Sequence, residues 1–101
     1  MSYDSLLINR TNIIDRTFDK WGEEESVSIR RNRPCRIMYG NFRTVNAAGE
    51  DDHSSAKIFY KRDEDIQLSH MIEFDDREHA IVEIRRPQDS RRIHHIEVYV
   101  K

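Results

Sequence analysis

Glycine and proline are scarce in this 101-residue chain, three and two, and cysteine and tryptophan occur once each. The single cysteine, Cys35, excludes an internal disulfide framework. No apolar run exceeds three residues, as in Leu6-Leu7-Ile8, which excludes a helical membrane span. No basic start followed by an apolar stretch marks a secretory signal, so synthesis in a reducing cytoplasm and no membrane partner are expected. A charge excess is also lacking. Seventeen basic against 19 acidic residues leave a formal net charge of -2, and no global field favours nucleic acid or an acidic surface. Without repeats, low-complexity tracts or a Pro/Gly/Ser-rich linker, residues 1–101 read as one domain.

Catalytic signatures are missing as well. There is no GxSxG, P-loop or GxGxxG, and Gly22, Gly40 and Gly49 stand far apart. Cys35, His53, His70, His79, His94 and His95 are the possible metal ligands, but no CxxC, HxxxH or HxH spacing joins them. In a regular strand the adjacent His94 and His95 would point to opposite faces and share no ion. Asp51-Asp52 and Asp75-Asp76 fall in predicted loops, where solvation and turn chemistry account for them. Cys35 lies on the apolar side of its segment and reads as a small buried hydrophobe. No enzymatic activity, metal or cofactor is expected.

What the chain does have is alternation. In "HAIVEIR", Ala80, Val82 and Ile84 share one face, with His79, Ile81, Glu83 and Arg85 on the other. The last strand places Ile96, Val98 and Val100 inward against His95, Glu97, Tyr99 and Lys101, and Pro87–Ser90 forms a hairpin loop before it. Ile72 with Phe74, then Ala56, Ile58 and Tyr60, then Cys35, Ile37 and Tyr39, then Val27 and Ile29, repeat the pattern. Six such segments with charged outer faces predict an all-β fold, a small antiparallel β-barrel of about six or seven strands. The first twenty residues suggest a short helical turn near Leu6 and Leu7 and then a strand near Ile13, with residues 1–11 as an N-terminal arm. Gly40–Ser55 lacks alternation and predicts one long loop, a feature usually functional or mobile in so small a domain.

Basic doublets form the one local charge signal. Arg30-Arg31, Arg85-Arg86 and Arg91-Arg92 suit either a solvated, subunit-bridging face or recognition of phosphates, the last two pairs flanking Pro87–Ser90. Trp21, in "FDKWGEEE", is either a core-closing residue or an interface anchor.

Several short motifs occur in a telling order: "NIIDR" from Asn12, "DKWG" from Asp19, "RPCRI" from Arg33, "IQLSHMIEFDDREHAIVEIRRP" from Ile66, and the terminal "HHIEVYVK". Together they resemble the small head-completion, or stopper, proteins of tailed bacteriophages, departing at Ser69-His70, where similar sequences often carry Gly-Asp. The resemblance covers most of the chain from Asn12 onward. It implies a β-barrel without enzymatic activity, assembled as a homo-oligomeric ring in the virion neck. Portal and adaptor proteins would lie above the ring, tail-completion or tail-tube proteins below, and packaged DNA in its channel. The loop that reaches into the channel in that family matches Asn46, Ala47, Ala48, Gly49, Glu50, Asp51 and Asp52. Trp21, Arg30, Arg31, Arg85, Arg86, Arg91 and Arg92 are the expected subunit or partner contacts. The alternative is a small nucleic-acid-binding β-barrel that uses the arginine-rich hairpin.

Overall fold

A computed structural model describes residues 7–88 and 93–101. Six strands form: β1 (Asn9–Phe18), β2 (Glu24–Val45), β3 (Asp51–Lys61), β4 (Met71–Phe74), β5 (Arg77–Arg85) and β6 (His95–Val100). All neighbours are antiparallel, in the order β1-β2-β3-β6-β5-β4, and β4 returns to β1 through Asn12↔Glu73 to Ile14↔Met71, so the sheet closes on itself. The fold is all-β, as expected. No helix occurs among the described residues, so the expected helical turn is not seen; residues 1–6 of that segment lie outside the described part. From Asn9 onward the chain is already paired with Cys35, and the β-branched Thr11, Ile13 and Ile14 favour the pleated conformation.

Alternation builds the core. Cys35, Ile58, Tyr60, Ile72, Val98 and Val100 have no exposed surface, and each large apolar side chain so buried contributes about 1.5–3 kcal/mol. At the centre of the core the Tyr60 hydroxyl bonds Thr11 Oγ1 at 2.7 Å, and Cys35 Sγ donates to the same oxygen at 3.6 Å, whereas the buried Thr44 Oγ1 and His79 Nε2 have no partner among the described residues. Burial drives the Tyr60 hydroxyl far above its ordinary pKa and the Cys35 thiol up to about 11, so Cys35 stays protonated and inert at neutral pH.

In β5 the faces differ from the simple alternation. His79 is buried and Ala80 exposed, while Ile81 and Ile84 both pack against the core. A bulge between Ile81 and Glu83 sets an extra residue into the strand and resets the phase, which period-two counting has no means of seeing. His79 is fixed by Nδ1 against the Lys101 main-chain oxygen at 2.8 Å and by stacking on Phe74, with centroids 3.9 Å apart.

The expected long loop at Gly40–Ser55 is instead a β-hairpin, with β2 running to Val45 and β3 starting at Asp51. An irregularity between Tyr39 and Phe42 bends it, and Gly40 permits the bend because a Cβ there would lie 3.3 Å from the Phe42 ring. Phe42 packs edge-on against Tyr99 at 5.9 Å, and the Lys57 ammonium lies 5.3 Å from the Tyr99 ring. Val45, Asn46 and Ala47 share a cleft with Val82, Glu83 and Ile84, so the hairpin folds back along the outer wall of β5 and β6. Its sheltered side chains include Thr44 and Ser54, each 2% exposed; these small polar residues leave no apolar rhythm in the sequence.

Candidate interaction surfaces

Beyond Ile14, β1 loses β4 as a neighbour, and before Cys35, β2 is not paired with β3. Asp15–Phe18 and Glu24–Ile29 therefore form a two-stranded ribbon paired only with itself, both outer edges unpaired. Its register places Ile14 opposite Ile29 and Arg16 opposite Val27 on one face, Asp15 opposite Ser28 and Thr17 opposite Ser26 on the other. The second face is polar, with the Thr17 and Ser26 hydroxyls 2.5 Å apart. The first leaves Val27 42% and Ile29 39% exposed, and Phe18 near the tip 59%.

At the tip, Asp19 Oδ1 accepts hydrogen bonds from the Trp21 and Glu23 amides at 2.9 and 3.0 Å, and Gly22 takes φ +80°. Trp21 projects from this turn with 77% of its surface exposed and the Lys20 ammonium 5.1 Å from its ring. It closes no core.

Ion pairs tie the ribbon to the body. Arg16 Nη1 lies 2.5 Å from Glu78 on β5 and Arg16 Nε 3.2 Å from Glu24, which holds the Glu78 carboxyl below its usual range. At the base, the buried carboxylate of Glu64 accepts from Arg30 Nη1 at 2.6 Å and from Arg33 Nη2 at 2.9 Å. Arg30 also donates to the Asp65 carbonyl, and Arg86 Nη2 donates to the Ile66 carbonyl at 2.8 Å. Two of the arginines expected at an interface, Arg30 and Arg86, thus hold the segment between β3 and β4, whose Ile66 enters the core. Glu64 and Arg33 gave no sign of this role, because their partners lie 31 and 34 residues away with no local pattern to mark them.

Arg85 pairs with Glu83 at 2.7 Å and stacks 4.5 Å from the Tyr99 ring. Arg31 is exposed on the ribbon's base, with no side-chain partner among the described residues. Arg91 and Arg92 lie outside the described residues, as do two of the four residues of the expected Pro87–Ser90 loop.

The expected channel residues take a turn with the same bonding as the ribbon tip. Asn46 Oδ1 accepts from the Ala48 and Glu50 amides at 3.0 and 3.1 Å, and Gly49 takes φ +81°. Ala47, Ala48, Gly49, Glu50 and Asp51 are exposed. Asp52 pairs with Lys101 Nζ at 2.8 Å and accepts from the His53 amide, which lowers its pKa.

His94 and His95 come together rather than apart. β6 begins at His95, so strand alternation does not reach His94, and the two Nδ1 atoms sit 2.8 Å from each other. His95 Nε2 lies 3.1 Å from Glu97 Oε1. No group of three or more His, Cys, Asp or Glu suited to a metal occurs among the described residues.

No family model, curated protein or solved structure matches this chain.

Proposed function

We propose that this chain is a structural subunit of the head-tail connector of a tailed bacteriophage, a small β-barrel that joins copies of itself into a ring and attaches neck components above and below. One observation carries the interaction part of this reading: the β1-β2 ribbon leaves Phe18, Trp21, Val27 and Ile29 in water where they serve no core. Large apolar side chains grouped on a projecting element mark a contact surface. The motif resemblance supplies the phage connector as the setting. The exposed Glu50 and Asp51 at the other hairpin tip suit the channel role, since acidic groups repeated around a ring repel DNA phosphates and let the duplex slide.

The nucleic-acid alternative loses the described part of its basis to internal contacts, Arg91 and Arg92 lying outside the described residues. Arg30, Arg85 and Arg86 are engaged by carboxylates or carbonyls of the chain itself. Electron microscopy of particles carrying a tagged chain tests the proposal: density is expected as a ring in the neck. Tag density elsewhere, or binding of the free chain to generic duplex DNA that weakens steeply with salt, overturns it.

A further inference from the structure

We propose that the free chain pairs with a second copy of itself along the open edge of β2, by antiparallel strand addition about a two-fold axis at Ser28. The edge from Ser26 to Arg30 runs in regular register and offers a row of main-chain groups with no neighbouring strand; register irregularities flank it at Glu25 and at Arg31-Asn32, where Asn32 takes φ +55°. With its flanks, the sequence Glu24-Glu25-Ser26-Val27-Ser28-Ile29-Arg30-Arg31 is acidic at one end and basic at the other. An antiparallel partner with the same sequence therefore meets opposite charge at both ends.

Symmetry narrows the register. A two-fold axis normal to the sheet keeps each side chain on its own face, so one residue must face its own copy and all others pair around it. With Ser28 on the axis, Val27 faces Ile29 of the second copy within the regular stretch, and Glu25 and Arg31, at the irregularities that flank it, come to the same end of the pair. Val27 on the axis would set Glu25 against Ile29 and Glu24 against Arg30, whose guanidinium already serves Glu64. Ile29 on the axis would set Val27 against Arg31. Only the Ser28 register of these three matches apolar with apolar and acid with base. Neither Glu25 nor Arg31 has a side-chain partner among the described residues, so both are available.

The paired state covers Val27 and Ile29 twice over and removes the open edge from solution. It is a weak, micromolar contact, since one short strand buries less than a standard interface. A two-fold pair is closed and does not propagate head to tail, so it belongs to the free chain and opens before any ring forms. The inference stands whether or not the connector reading holds.

Sedimentation equilibrium across a concentration series is expected to show a monomer-dimer equilibrium. Facing residues in such a pair have Cα atoms about 4.5–5.5 Å apart, within disulfide range. Ser28→Cys should therefore cross-link into a dimer under mild oxidation, while Ser69→Cys, exposed between β3 and β4, should not; the buried Cys35 stays silent in both. Glu25→Arg and Arg31→Glu should each raise the dissociation constant about tenfold, because symmetry applies each change twice, and the double variant should restore pairing. A monomer at every concentration, head-to-tail oligomers, equal cross-linking by the two cysteine variants, or a double variant no tighter than the singles would each overturn the proposal.

Discussion

Asp19-Lys20-Trp21-Gly22-Glu23 and Asn46-Ala47-Ala48-Gly49-Glu50 make the same turn. In each, the first side chain accepts two main-chain amides, the glycine sits at φ near +80°, and the first residue's amide donates to the glutamate carbonyl at 2.9 Å. The flanks then diverge. The β2-β3 hairpin bends at Gly40 and lies on the closed sheet through Phe42, Tyr99, Lys57 and the Asp52–Lys101 pair. The β1-β2 ribbon does not bend back; it is held by Arg16 at its side and by Arg30 and Arg33 at its base, and keeps its apolar side chains in water. A turn motif thus sets how a hairpin closes, whereas the residues along its flanks decide whether it is packed or presented.

The largest expected effect separates the two hairpins by stability. Tyr99→Ala removes a 2% exposed ring that Phe42, Lys57 and Arg85 all contact, and should cost about 3–4 kcal/mol in urea unfolding; Phe18→Ala on the ribbon should stay within about 0.5 kcal/mol. Next comes the ribbon's anchor. Glu64→Gln leaves Arg30 and Arg33 without their carboxylate, but these guanidiniums are 33% and 41% exposed and partly rehydrate, so a loss of about 2 kcal/mol is expected rather than that of a wholly buried pair. Thermal unfolding measures it.

Gly22→Ala and Gly49→Ala sharpen the comparison from the other side. Both positions have positive φ and open space for a Cβ, so each should cost about 1 kcal/mol, equally, if the turns are the same device. The smallest effect is with pH. Asp52 and Glu78 have folded pKa values lowered by Lys101 and Arg16 respectively. A lowered folded pKa stabilises fully above the unfolded value of about 4, and that contribution fades as pH falls through the folded pKa below it. Lys101→Met should weaken the acid dependence of the β2-β3 hairpin, the His53 amide still holding part of the Asp52 shift, while leaving that of the ribbon intact, as followed by side-chain carboxyl shifts in NMR.

Much of this architecture was legible where one strand face meets the core. Ala56, Ile58 and Tyr60 in β3, Ile72 and Phe74 in β4, and Ile96, Val98 and Val100 in β6 are buried as their alternation predicts. Legibility failed for definite physical reasons. The bulge after Ile81 exchanges the faces of β5, and Gly40–Ser55 conceals its rhythm in Thr44 and Ser54. His94 falls one residue before its strand, and Glu64 finds its arginines only through the tertiary fold. The exposed residues told less: sequence left Trp21 open between core and contact surface, and the ribbon's projection from the sheet rules out the core.

Amide hydrogen exchange read by NMR on the free chain tests the contrast most directly. The account predicts that the cross-strand-bonded amides of Phe42–Val45 and Asp51–Ser54 are protected at every protein concentration, whereas the outer-edge amides of Glu25–Arg31 exchange fast when dilute and slow as concentration rises. Fast exchange throughout the β2-β3 hairpin, or ribbon-edge amides already protected at high dilution, would contradict it.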